Sequence, residues 1–147
     1  MRHNIFLFCI VLAVGLSSCA QDYKKLSDSE IDKSKVRIAQ EFATNYLNQS
    51  KNGMTYVFKD EATSELKNLL TPETQKNVYQ SIKKQFGDFQ NLEYIETYAD
   101  KNVVSSGIQR FKGSFGEKDK KLEVRVVLDQ TDKVAGFWIK PWSDMLK

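Results

Sequence analysis

Cysteine and histidine are nearly missing from this chain, and the few present are gathered at one end. Cys9, Cys19 and the single histidine, His3, all fall within the first nineteen of 147 residues. From Ala20 onward neither type occurs. That excludes a disulfide, a cysteine nucleophile, a Ser-His-Asp arrangement and a Cys/His zinc site from the rest of the chain. Loops with the acidic spacing of an EF-hand are also lacking. No metal ligand and no cofactor is assigned, and an enzyme here would have to work with carboxylates, Lys, Tyr or Ser. Charge of one sign is lacking too, since the net formal charge is only +3 and Arg2 supplies part of it. A nucleic-acid binder would carry Lys and Arg clustered along one face, whereas Lys118-Asp119-Lys120-Lys121 reads as a solvated hairpin tip. Repeats and low-complexity stretches are absent.

Long hydrophobic runs are limited to one, Ile5 to Leu16, which is too short for the roughly 20 apolar residues that span a bilayer. It follows Arg2 and ends in Leu16-Ser17-Ser18-Cys19. A cationic start, an apolar segment and small residues at a cut are the physical parts of an export signal. An ordinary cleaved signal does not require cysteine next, and here Cys19 follows directly. The segment resembles a bacterial lipoprotein signal peptide. The resemblance implies that residues 1–18 are removed and that Cys19 is diacylated through its thiol and becomes the N-terminus. It also implies an outer-membrane location facing the periplasm, because position 20 is Ala where inner-membrane lipoproteins typically carry Asp. Two acyl chains, at about 0.8 kcal/mol per buried CH₂, make a stable anchor where one does not. Residues 19–28 then form the lipidated cysteine and its tether, whose polar stretch Ala20 to Ser27 extends to at most about 28 Å.

The remaining residues, 29–147, are one ordinary domain in length, enough to bury a modest core. Ser27-Asp28-Ser29-Glu30 has the form of a capping box and predicts a helix through about Asn48, with Ile31, Ile38, Phe42, Ala43, Tyr46 and Leu47 on its apolar stripe. Met54, Val57, Phe58, Ala62, Leu66, Leu69 and Leu70 suggest one or two shorter helical pieces, with Asp60 and Glu61 turned toward water. Thr71-Pro72 restarts a helix that runs to Phe86, where Gly87 ends it. Beyond Asp88 the apolar period changes from near 3.6 to 2. Four strands are expected, at about Phe89–Ala99, Val103–Phe115, Leu122–Gln130 and Val134–Lys140. Their turns would be Asp100-Lys101-Asn102, Gly116 to Lys121 and Thr131-Asp132-Lys133. Connections this short force antiparallel pairing. Leu122, Val124, Val126 and Leu128 fall on one face, and Glu123, Arg125, Val127 and Asp129 on the other.

These elements make an α+β domain with N-terminal helices packed on one face of a curled four-stranded antiparallel meander. Leu70-Thr71-Pro72-Glu73, Phe86-Gly87-Asp88-Phe89 and Lys133 to Pro141 carry a further likeness. From about Ile31 to Trp142 the chain resembles cystatin-like, nuclear transport factor 2-like domains, and in particular a bacterial domain of unknown function often found ahead of alpha/beta-hydrolases. That resemblance implies a cone between sheet and helices able to hold a small apolar ligand or, in isomerase-like members, a carboxylate and Tyr that move a proton.

Glu93, Tyr94, Glu96 and Tyr98 supply those residue types, but charges alternating along a solvent face give the same string, so no catalytic residue is named. Trp138 lies between Phe137 and Ile139 and points outward if they point inward. With Val127, Arg125 and either Tyr94 or Tyr98 it would form an aromatic patch on the uncovered sheet face, of the kind that marks interfaces. Curl of the sheet, or the segment through Trp142, could cover it instead. Three functions remain open: a non-catalytic envelope lipoprotein that binds a protein partner, a second copy of itself or a small ligand; a small isomerase or hydratase; and an accessory subunit of a separately encoded enzyme.

Overall fold

The change of apolar period at Gly87-Asp88 divides the chain in space as well as in sequence. The computed structural model describes residues 23–100, 103–116, 121–144 and 146. The signal segment, Cys19, the Lys101-Asn102 turn and the Lys118 to Lys120 run lie outside them. Three helices come first: α1 (Lys33–Lys51), α2 (Ser64–Leu69) and α3 (Pro72–Phe86). Before them lies a short strand, β1 (Tyr23–Lys25), and after them β2 (Phe89–Asp100), β3 (Val103–Phe115), β4 (Lys121–Leu128) and β5 (Val134–Pro141). The strands form one antiparallel sheet of 5 in the order β1-β2-β3-β4-β5.

The expected four strands are therefore five. Tyr23, Lys24 and Lys25 pair with Asp100, Ala99 and Tyr98, so part of the expected tether is an edge strand. The capping box also acts differently from expectation. Glu30 accepts from Ser27 N at 2.9 Å and Ser27 Oγ at 2.8 Å, but this closes a separate turn. The helix starts later, where Asp32 accepts from Ser34 N at 2.9 Å. Between α1 and α2 the chain is irregular through Asp60, and Met54 and Val57 are 54% and 73% exposed. Tyr56 and Phe58 pack inward instead. Glu61 faces its own segment, accepting from Tyr56 OH at 3.1 Å and Lys59 N at 2.9 Å.

α3 keeps its expected bounds. Thr71 accepts from Thr74 N, Pro72 opens the first turn, and Gly87 ends the helix at φ 86°. Tyr79 ties its last turns to the sheet, donating to Asp88 and accepting from Phe89 N at 3.1 Å. α1 lies across the sheet with Phe42, Ala43, Tyr46 and Leu47 buried against Phe111, Val124, Val126 and Phe137. Aromatic rings fill the space between these layers: Phe137 meets Phe42 at 5.3 Å and Tyr46 at 4.9 Å, both edge-on. Rings in this arrangement contribute beyond their buried area.

Gly87 and Gly116, both at positive φ, meet back to back where α3 joins the sheet. A Cβ on Gly87 would lie 2.6 Å from Gly116 Cα. Gly116→Ala is expected to cost about 2 kcal/mol or more through left-handed strain plus backbone collision, read as a lower urea midpoint. Gly53→Ala, at φ 73° with nothing within 4 Å, is the control and should cost about 1 kcal/mol.

Candidate functional site

The sheet face turned away from α1 holds the densest chemistry among the described residues. Its placement begins with an irregularity in β2. Tyr94 pairs with Phe111 and Glu96 pairs with Arg110, so one extra residue, Ile95, is inserted between them. A bulge of this kind shifts the two-residue alternation by one. Tyr94 therefore faces the helices, where its ring meets Phe111 at 5.9 Å and its hydroxyl bonds Thr97 Oγ1 at 2.8 Å. Glu96 faces the other way. The expected place of Tyr94 in the outer patch is thus corrected.

Across that outer face runs a row of paired residues, Glu96, Arg110, Arg125 and Trp138. Arg110 is fully buried there, with 0% of its surface exposed. Its Nη1 binds Glu96, and its Nη2 donates to Glu123 at 2.9 Å and to the Ser143 carbonyl at 2.6 Å. Glu123, also at 0%, accepts from Arg125 Nε at 2.8 Å. Lys25 Nζ reaches Glu96 at 2.8 Å from β1. Charges alternate in sign along the cluster, which is the condition for holding ions away from water.

Both described ends of the chain cover this face. Trp142 stacks over Arg110 at 5.0 Å and Lys112 at 4.2 Å, and its indole nitrogen donates to Asp144 at 2.9 Å. Tyr23 lies on the opposite side, and burial, with a smaller push from Asp100, raises its phenol above the usual range. Trp138 does point outward and is half-buried. Its indole lies over Gly136, where a Cβ would overlap the ring. Val127 pairs with Gly136 and Ile108 on the same face. Trp138, Arg125 and Val127 are accordingly brought together, with Trp142 as an added cover.

This arrangement is unsuited to proton transfer. A catalytic carboxyl needs a dry site that raises its pKa toward neutrality. Burial does push the Glu96 carboxyl up, but hydrogen bonds and charge from Lys25 and Arg110 outweigh it and hold the group below the usual range. Glu93 is exposed and pairs with Lys112. Tyr98 sits beside Ile108, away from the helix side where Tyr94 lies. Among the described residues no group of His, Cys, Asp and Glu is placed to hold a metal, and no helix is long and apolar enough to cross a membrane.

Comparison with known proteins finds no matching family model, no matching curated protein and no matching solved structure. The chemistry of the outer face must therefore be read from its own residues. Arg110 and Trp142 were absent from the sequence-derived patch, although strand parity carries part of the signal. Arg110 neighbours the core residue Phe111 and so must point away from it, and Glu123 and Arg125 are two apart in one strand.

Arg110→Met should cost about 3–5 kcal/mol by leaving two buried carboxylates short of their cation. For Glu96 the sign follows from its lowered folded pKa. Its contribution is full above the ordinary value of 4.5 and is lost as pH falls below it. Urea midpoints of the wild type and Glu96→Gln should differ at about pH 7 and draw together as pH falls below the ordinary value of 4.5. A gap independent of pH would remove the ion pair from the account.

Proposed function

We propose that this chain is a bacterial envelope lipoprotein, anchored through acylated Cys19 to the outer membrane and facing the periplasm. Its domain is a non-catalytic binding module of the cystatin-like, nuclear transport factor 2-like kind, with its contact surface on the outer sheet face around Trp138, Arg125 and Val127. The observation that carries the binding reading is the Glu96–Arg110–Glu123–Arg125 cluster, in which each carboxylate is already paired with a cation. A face built this way commits its buried carboxylates to ion pairs rather than to acid–base work, and keeps aromatic and cationic groups at its rim. The anchoring reading is supported by Leu16-Ser17-Ser18-Cys19 behind the apolar run.

The test is mass analysis of the full chain expressed in a Gram-negative host. The mature protein should begin at Cys19 and carry acyl chains, and it should sediment with membranes. Cys19→Ser should abolish acylation and membrane retention. A mature wild-type chain with an unmodified thiol at residue 19 would end the lipoprotein reading.

A further inference from the structure

We propose that the outer sheet face lies against the phospholipid headgroups of the membrane that holds the anchor. This inference rests on acylation of Cys19 and names the partner of the surface assigned above. Its first support is length. Residues 23–25 belong to the sheet, and Leu26 N also donates to Thr97 O at 2.9 Å. Only residues 20–22 separate β1 from the acylated position. Whatever their conformation, four Cα steps reach at most about 14 Å, half the reach expected for a tether running to Ser27. The β1 edge is therefore held within about 14 Å of the acylated residue. Five strands at about 4.8 Å spacing carry the sheet only about 19 Å from that edge to β5.

The second support is composition. The outer face carries Tyr23, Tyr98, Trp138 and Trp142 together with Lys25 and Lys112. Amphipathic rings settle at the bilayer–water boundary, and lysines there meet lipid phosphates. Carboxylates on the same face would ordinarily oppose an anionic surface. Glu96 and Glu123 are instead buried and neutralised from within the domain, while exposed Glu93 stands opposite Lys112 and exposed Asp144 is held by the Trp142 indole, so the rings with their neighbouring lysines, rather than a net charge, are what this face offers the headgroups. The outward side of α3 offers a contrast, with Glu73, Lys76, Gln80 and Lys84 exposed and no aromatic ring among them. Met54 and Val57 are exposed, but they belong to the helical layer and no tryptophan lies in their segment.

The chain contains two tryptophans, and both belong to this face, so selectively excited tryptophan emission reports on it alone. The purified acylated protein would be placed in vesicles of phosphatidylethanolamine and phosphatidylglycerol, with and without lipids brominated near the headgroup end of the acyl chains. The expected result is loss of roughly half the emission to the brominated lipid, with protection from aqueous acrylamide. Trp138→Phe and Trp142→Phe, each checked for folding by near-ultraviolet dichroism, should each retain quenching of the remaining ring. Protein that floats with the vesicles while its tryptophans stay unquenched and open to acrylamide would overturn the face-down placement and leave the anchor intact. Protein that does not float would overturn the anchor itself. Shielding from acrylamide that appears in detergent alone and grows with protein concentration would assign the face to a second copy of the chain.

Discussion

Arg110 carries a full charge at a place water does not reach, and the outer half of the domain is arranged around that fact. A lone buried guanidinium is intolerable, so Glu96 and Glu123 must stand beside it, and each of these draws in a further cation, Lys25 on one side and Arg125 on the other. The residues come from β1, β2, β3 and β4. The Ser143 carbonyl adds the segment after β5. One ion thereby fixes the register of neighbouring strands and the course of both described chain ends. Removing any member strands the others, which is why such clusters specify an arrangement even where apolar residues would give more stability.

The two faces of the sheet solve different problems. Toward α1 the sheet buries aromatic and branched side chains, and stability there comes from area removed from water and from ring packing. A few polar groups are admitted on that side under strict terms. Gln75 accepts from Tyr56 N at 2.8 Å and donates to the Tyr56 and Leu70 carbonyls, pinning the irregular segment against α3. Toward the outside the sheet buries ions under a thin cover of tyrosine, tryptophan and lysine stems. The first face makes the domain fold, and the second is where it can meet something else.

Much of this was legible in the sequence wherever the controlling interactions are local. Thr71-Pro72 and Gly87 bracket α3 correctly because each acts on its own backbone. The alternation in β4 predicts its buried face because the strand is regular. The errors arise where distant parts decide. Tyr-Lys-Lys has no apolar alternation, and it becomes a strand because the edge of β2 is there to receive it. No glycine or proline announces the extra residue at Ile95, so Tyr94 was assigned to the wrong side. Ser27 and Glu30 do satisfy each other, but Asp32 caps the helix. The pairing of Arg110 with Glu96 and Glu123 depends on a register among three strands, which no single segment encodes.

The shortness of β1 has a mechanical consequence. A strand of 3 residues at a sheet edge, secured to β2 and by Lys25 to Glu96, is the weakest link in any load path that enters the domain from the N-terminal side. Tension along that path peels it off before the longer strands yield. The remaining four strands would then stay paired, and relaxing the tension would let the strand zip back.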